Sequence, residues 1–159
     1  MIKIFLSSTF LEMAQEREEI AKQVVPWTRE LGRKYKEHVE ICDLRWGIDT
    51  DNIIKTIELC LKKIDLETDS VVAIIGNEAG TQVEMTEELK NLLKESGLNY
   101  LARSASVSIT QLELEYGILS RHNAVGRCYY KKGAENGKNS GLLGRLKEKL
   151  GEKQCVVFY

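Results

Sequence analysis

Long apolar runs are absent from this sequence. None approaches the roughly 20 residues that a membrane-spanning helix needs, so we expect no membrane association. Net charge is nearly absent as well, because 23 Lys and Arg face 24 Asp and Glu, which gives −1. Proteins that bind the nucleic-acid backbone need more basic than acidic residues to displace its counterions, so we expect no direct nucleic-acid partner.

Proline and linker sequences are also scarce. The chain has one proline, no internal repeat and no Ser/Gly-rich stretch before residue 133. Its 43% hydrophobic and 30% charged residues are near the globular norm. The sequence therefore predicts a single domain over residues 1–159. Because it stops on an apolar, strand-like segment, we expect it to be the N-terminal part of a larger protein.

The four cysteines form no C-x-x-C pair. Cys42, Cys60, Cys128 and Cys155 are scattered, which is typical of small buried side chains rather than of a disulfide framework or a metal site. The N-terminal MIKIFLSSTF is too short for a signal peptide and lacks a small-residue cleavage site. These features predict a cytoplasmic protein without a bound metal.

Phosphate-binding glycine motifs are missing too. Neither G-x-G-x-x-G nor G-x-x-x-x-G-K-S/T occurs, and no Ser-His-Asp arrangement is visible. Any phosphate contact would have to come from hydroxyls and amides after the first strand, in Ser7, Ser8 and Thr9. The alternative is that these three residues only cap a helix.

Apolar runs and helical stripes alternate along the chain. This order predicts an α/β fold of three layers, with an about five-stranded, mainly parallel sheet and helices on both faces. The predicted strands cover residues 2–6, 39–44, 70–75, 126–132 and 154–159.

Capping patterns mark several helix starts. Thr9 with Glu12, and Ser108 with Gln111, fit the capping box. The second pair begins a helix predicted over residues 109–123. Further predicted caps are Thr50 or Asp51, and Ser140, and a short surface helix is predicted over residues 86–94.

Polar turns follow the first three predicted strands, at residues 7–10, 43–47 and 76–80. Ligands of parallel α/β sheets bind beyond the carboxyl ends of the strands, so these turns should share one rim. Asp43 and Arg45 are either functional groups at that rim or an internal ion pair covered by Trp46.

The helix after Ser108 carries two acidic residues in apolar surroundings. Glu113 shares a predicted face with Gly117 and Ser120, and Glu115 points elsewhere. A carboxylate on so apolar a helix needs a partner or a cavity. The alternative is a solvated carboxylate paired with Arg121 or Arg103.

Six segments recur in this order in one known family: IFLSSTF, QERE, VVPW, CDLRWGID, ELCLKKID and SITQLELEYGIL. The chain resembles the TIR-like domain of unknown function 4062. That domain is found at the N-termini of STAND-class NTPases, such as nephrocystin-type and telomerase-associated proteins, and in bacterial relatives. The resemblance implies a TIR/flavodoxin-like fold.

The family is similar to TIR domains, which carry a pattern S-W-C-x-x-E-L, and in the NAD-cleaving TIR domains the glutamate of that pattern is catalytic. Residues 108–114 align with this pattern, with Ile109 and Thr110 in place of Trp-Cys. The resemblance implies that Glu113 is catalytic, with Glu115 as the nearby alternative. A carboxylate beside the ribose would stabilise the oxocarbenium-like centre that forms when the nicotinamide bond breaks.

The resemblance also implies a function and its partners. The chain would be an effector or signalling domain, in bacteria for antiphage defence, and an NAD⁺ glycohydrolase active on oligomerisation. NAD⁺ would be the substrate, with no tightly bound cofactor. Its partners would be other copies of the domain and the C-terminal NTPase and sensor domains of the same protein. The residues expected to bind the substrate are Ser7, Ser8, Thr9, Phe10, Asp43, Arg45 and Trp46.

Two other functions remain open at this point. One is a non-catalytic adaptor that signals through homotypic contacts, and the other is nucleotide sensing without turnover. The enzyme needs Glu113 to face the rim, whereas the adaptor needs only self-complementary surfaces.

Overall fold

The computed structural model describes residues 1–9, 11–43 and 52–159. Within these ranges, five parallel strands form one sheet in the order β2-β1-β3-β6-β7. The sheet strands are β1 Ile2–Ser8, β2 Val39–Cys42, β3 Ser70–Ile75, β6 Gly126–Lys131 and β7 Cys155–Phe158. The predicted α/β fold is confirmed.

Helices cover both faces of this sheet. The helices are α1 Ala14–Glu19, α2 Val25–Lys34, α3 Ile53–Glu67, α4 Glu87–Glu95, α5 Ile109–Leu114 and α6 Ser140–Leu150. Two π-helical turns, Ile20–Val24 and Glu115–Leu119, continue α1 into α2 and extend α5. No helix in the described ranges is long and apolar enough to cross a membrane.

Strand β3 shows how the layers are held together. Its alternate residues Val71, Ala73 and Ile75 are buried in the main core with side chains of α3, α5 and α6. Ile74 points to the opposite face, where it packs with Met13 just before α1. Alternation along a strand sends successive side chains to opposite faces, and here both faces are covered.

The strand order places a crevice between β1 and β3. After β1 the chain moves to one side of the sheet for β2, and from β3 onward it moves to the other. Ligands of such sheets bind at this switch point, outside the carboxyl ends of the strands. Residues 7–9 and the turn after Ile75 border this crevice.

A second, two-stranded sheet was not predicted. β4 Gln82–Glu84 pairs antiparallel with β5 Ser106–Ser108, and the segment between them includes α4 and a 3₁₀ turn, Asn99–Arg103. Val83 and Val107 from this pair help fill a second hydrophobic core with α3, α4 and α5. These strands have three residues each, too short for an alternating pattern to identify them.

The structure corrects the expected start of the first helix. β1 extends to Ser8, whose neighbour across the ladder is Ile74, so Ser7 and Ser8 are strand residues. Helix α1 begins after Met13 without a side-chain cap. The predicted capping box of Thr9 and Glu12 is therefore wrong.

The structure confirms some of the other predicted helix caps and corrects others. Ser108 accepts a hydrogen bond from the Gln111 amide, as predicted. Thr86, which was predicted to lie in the first turn of a short helix, caps α4 by accepting a hydrogen bond from the Leu89 amide. Asn52 caps α3, in place of the predicted residues 50 or 51, which lie outside the described ranges. Asn139, not Ser140, precedes α6, with no side-chain cap.

The helix predicted over residues 109–123 ends earlier, at Leu119. Its second half is a π-helical turn, which changes the angular spacing of the residues that follow Glu113. Ser120 consequently lies near Tyr100, with their oxygens 3.3 Å apart, and not beside Glu113. The prediction that Ser120 shares a face with Glu113 is wrong for that reason, whereas Gly117 packs against Ile64 of α3, one helical turn from Cys60, which contacts Glu113.

Gly117 is a close-packing position in this turn. A Cβ there would lie 2.9 Å from Val71 Cγ2 and 3.2 Å from Ile64 Cγ2. We expect Gly117→Ala to lower the free energy of unfolding by about 1–3 kcal/mol, because the core must shift to accept it. Denaturant titration measures this loss.

Gly144→Ala is the matched control. Gly144 is in the interior of α6, and a Cβ there would have no neighbour within 4 Å. Since alanine is the better helix former, the free energy of unfolding of this variant should rise by about 0.5–1 kcal/mol. Equal effects at residues 117 and 144 would contradict the close packing described for the π turn.

Candidate functional site

The carboxyl end of β1 places polar side chains inside the protein. Ser7, Ser8 and Thr9 are at most 4% exposed. Ser7 and Ser8 are fixed by ladder pairing with β3, so neighbouring elements must satisfy their hydroxyls. The Oγ1 atom of Thr9 is buried and has no hydrogen-bond partner in the described part of the chain.

The Glu113 carboxylate reaches this strand end from α5. Ser7 Oγ donates a hydrogen bond to Glu113 Oε2 at 2.6 Å. The Cys60 thiol of α3 also hydrogen-bonds to Glu113, and this contact and burial raise the pKa of Cys60. Glu113 is only 8% exposed, so the alternative of a solvated carboxylate is wrong.

Burial raises the pKa of Glu113 from 4.5 to about 7, because a charged carboxylate loses its hydration inside the protein. The hydrogen bonds from Ser7 and Cys60 oppose this shift, as does the positive charge of Arg17. The negative charge of Asp43 adds to it. The carboxyl group therefore titrates near neutral pH, a range suited to proton transfer or charge stabilisation.

Arg17 joins the ends of β1 and β2. Its Nη1 donates to the Ser8 carbonyl at 2.9 Å and to Ser8 Oγ at 2.8 Å, and its Nη2 pairs with Asp43 Oδ1. Arg17 is 2% exposed, and a buried guanidinium needs such partners. Sequence analysis missed this residue. The signal available in the sequence was weak, because Arg17 is flanked by Ala14 and Ala21 at helical spacing and both of these alanines are exposed in the structure.

A small cavity lies beside Glu113. Its volume is about 10 Å³, which holds at most one water molecule. It therefore has no room for a nicotinamide riboside in this conformation. The cavity is lined by Leu6, Ser8, Arg17, Thr81, Ile109, Thr110 and Glu113.

The structure brings part of the predicted site together. Ser7 contacts Glu113, whereas Ser8 and Asp43 contact Arg17 at the same rim. Thr9 lies near Gly80, since a Cβ at Gly80 would be 3.5 Å from Thr9 Cγ2. The predicted residues Phe10, Arg45 and Trp46 lie outside the described ranges. Among the residues that the structure describes, no three His, Cys, Asp or Glu side chains group to hold a metal ion.

Glu115 faces away from this site, as predicted. Its side chain is fully buried, its Oε1 is 2.5 Å from Arg145 Nη1, and its Oε2 accepts a hydrogen bond from the Tyr100 hydroxyl at 2.7 Å. Arg121, one cation considered for Glu113, instead pairs with Asp65 at 3.3 Å. Glu115 thus fastens α5 to α6 and does not reach the rim.

A family model with the description "Domain of unknown function (DUF4062)" matches residues 3–156. The chain belongs to the DUF4062 family. This match confirms the family that the sequence segments predicted.

Two curated relatives of this DUF4062 domain are much longer proteins. A TPR repeat-containing protein of Dictyostelium discoideum is 28% identical over 92 residues, which are 57% of this chain and 6% of that protein. Telomerase protein component 1 of Rattus norvegicus is 30% identical over 81 residues, which are 50% of this chain and 3% of that protein. The chain spans less than a tenth of the length of either relative. No solved structure matches it.

Protonation of Glu113 should stabilise the DUF4062 fold. The pKa is 4.5 for an ordinary glutamate and about 7 here, so the native state binds the proton more tightly than the unfolded chain. The free energy of unfolding should therefore fall as pH rises between these values, by up to roughly 3 kcal/mol at about 1.36 kcal/mol per pKa unit. Glu113→Gln should lack this decline. Denaturation at several pH values tests it, and parallel profiles for the two proteins would contradict it.

The Glu115–Arg145 pair should respond unequally to the loss of either partner. Arg145→Met leaves the buried Glu115 carboxylate without its cation, and we expect the free energy of unfolding to fall by about 3–5 kcal/mol. Glu115→Gln leaves Arg145 without its carboxylate, but Arg145 is 44% exposed and its guanidinium can be hydrated. The free energy of unfolding should therefore fall less, by about 1–3 kcal/mol.

Lys90→Met is the control, because Lys90 forms an exposed pair with Glu87 on α4. Its effect should stay below about 1 kcal/mol. Thermal or denaturant unfolding measures all three variants, and a greater loss for Glu115→Gln than for Arg145→Met would refute this assignment of the buried charge.

Proposed function

We propose that this DUF4062 domain is a TIR-like effector or signalling domain and that Glu113 makes it an NAD⁺ glycohydrolase. One observation carries the proposal: the Glu113 carboxylate reaches the carboxyl end of β1, at the crevice where ligands of such sheets bind. The TIR pattern independently assigns the catalytic glutamate to this residue.

The proposed chemistry needs one carboxylate and a polar surround. When the nicotinamide–ribose bond breaks, positive charge develops on the ribose, and an ionised Glu113 beside it would stabilise that charge. The pKa of about 7 leaves a substantial ionised fraction at neutral pH. Ser7 holds one carboxylate oxygen in place, and the Arg17 guanidinium favours the ionised form.

Substrate entry would require a rearrangement at the rim. The cavity of about 10 Å³ must widen before a ribose can approach Glu113. We propose that assembly of several copies opens this crevice, so that cleavage is limited to the oligomer. Opening would also have to preserve or replace the contacts of Arg17 with Ser8 and Asp43, because these groups are buried.

The proposed protein context is a larger STAND-type NTPase. The great length of both curated relatives supports this, since the family domain is a small part of each. In this proposal the TIR-like domain is the output of C-terminal NTPase and sensor domains, acts in the cytoplasm, and in bacteria serves antiphage defence.

A non-catalytic interaction module is the second candidate. It is favoured by the closed cavity together with the hydrogen bonds that Glu113 makes to Ser7 and Cys60. In this alternative, Glu113 fastens α5 to β1 and α3, and signalling proceeds through contacts between copies. The two candidates differ in whether charge at Glu113 is needed for an output beyond folding.

Glu113→Gln decides between them. The variant keeps the side-chain shape and loses the charge, so the proposed enzyme should cleave NAD⁺ about 10²–10³ times more slowly, the usual effect of deleting a positioned electrostatic group. The assay is NAD⁺ loss by the protein in its assembled, signalling-competent state, normalised to the folded fraction.

Glu58→Gln is the matched control, since Glu58 is an exposed carboxylate on α3, two residues from Cys60. It should cleave NAD⁺ at the wild-type rate. Equal rates for wild type and Glu113→Gln would refute the enzyme. Absence of NAD⁺ loss in an assembly that signals would favour the adaptor.

A further inference from the structure

The turn after β3 binds a carboxylate from elsewhere in the chain. The backbone amide of Asn77 donates to Glu12 Oε1 at 2.7 Å, and the next amide, of Glu78, donates to Glu12 Oε2 at 2.9 Å. Two successive amides that converge on one anion form a concave anion-binding site of the type that holds phosphate groups in other folds. Glu12 lies before α1, in the segment predicted to cap a helix and found not to do so.

The surrounding backbone is arranged for this contact. The Asn139 side-chain amide is buried and donates to the carbonyls of Gly76 at 3.1 Å and Glu78 at 2.7 Å. These bonds fix the peptide orientations of the turn while its amides point to Glu12. A Cβ at Gly76 would lie 2.1 Å from Glu12 Oε2, so the close approach of an anion requires glycine there.

The turn is also accessible and has cations nearby. Asn77 and Glu78 are exposed, so an external anion could reach their amides once Glu12 leaves. Lys138 Nζ is 2.6 Å from Glu78 Oε2, and Lys131 Nζ is 3.3 Å from Glu16 Oε1, one helical turn beyond Glu12. Both lysines are paired with carboxylates here. The Lys138–Glu78 pair is exposed, so it exchanges partners at little energetic cost, whereas the Lys131–Glu16 pair is partly buried.

We propose that the amides of Asn77 and Glu78 form a binding site for a phosphoryl group, and that Glu12 occupies this site as an internal substitute. The site borders the crevice between β1 and β3. The same loop continues through Gly80 to Thr81, which lines the cavity beside Glu113. The proposal goes beyond NAD⁺ cleavage and does not depend on it, because binding at these amides requires no chemistry at Glu113.

Glu12 competes with any external anion, which sets the size of the expected effect. When a site is open in only a fraction of molecules, the apparent dissociation constant rises by the inverse of that fraction. If Glu12 fills the site in about nine molecules of ten, its removal should tighten binding about tenfold.

The experiment compares wild type with Glu12→Ala in a titration with inorganic phosphate at constant ionic strength. The amide resonances of Asn77 and Glu78, followed by nuclear magnetic resonance, report the site directly. We expect the variant to bind phosphate at least about tenfold more tightly, with saturable shifts at these two amides. Parallel titrations with ADP and NAD⁺ distinguish a nucleotide phosphate from free phosphate as the preferred source.

Glu19→Ala is the control, because it removes the same charge from an exposed position on α1 without vacating the amides or releasing Lys131 or Lys138 from its carboxylate. Its phosphate affinity should equal that of wild type. Equal tightening in Glu12→Ala and Glu19→Ala would show a general charge effect and overturn the proposal, as would unchanged affinity in Glu12→Ala.

Two further variants keep the result interpretable. If Glu12→Ala is unfolded without phosphate, Glu12→Gln retains the side-chain length and loses the charge, and it should still bind phosphate more tightly than wild type. An unchanged affinity in that variant would overturn the proposal. Glu113→Gln should leave phosphate binding intact, so that failure of NAD⁺ cleavage and failure of this site are separately visible.

Discussion

Buried ionisable groups at the ends of β1 and β2 must neutralise one another, and the rim of the sheet is organised around this constraint. Arg17 is almost fully buried and pairs with Asp43 while it also holds the carbonyl and hydroxyl of Ser8. Glu113 enters the same region, and its pKa rises because burial outweighs the hydrogen bonds from Ser7 and Cys60 and the nearby positive charge of Arg17. The rim therefore contains charges whose balance depends on every neighbour remaining in place.

The polar contacts at this rim also keep the cavity beside Glu113 small. Three polar side chains at the rim are stabilised by a contact with a different element: Ser7 with α5, Ser8 with Arg17 of α1, and Asp43 after β2 with the same arginine. Separating these elements would leave donors and acceptors without water or partners, which is energetically costly. A rearrangement that admits a ligand must supply substitutes for them.

Much of the fold could be predicted because β1 and β3 contain short apolar runs and amphipathic helices separate the strands. Periodicity identified these elements, whereas the three-residue strands β4 and β5 had too few residues to show a pattern. The shared rim followed from parallel topology alone. Arg17 was missed because its partners, Ser8 and Asp43, are brought to it by tertiary packing. Glu12 was assigned to a local capping box, in which its carboxylate would accept from one backbone amide. Instead, a turn 65 residues away in the sequence gives its carboxylate two backbone amides.

The π-helical turn Glu115–Leu119 has a consequence for comparisons between DUF4062 sequences. A π turn contains one residue more than the α-helical path it replaces, so it acts as an insertion absorbed within a helix. In a relative that lacks this extra residue, Glu113 would still align. Each helix residue after the turn would then point about 100° around the helix axis from the residue aligned with it in this chain. An alignment of the family should therefore permit a one-residue gap here, because an ungapped alignment would equate side chains that face α6 with side chains that face the sheet.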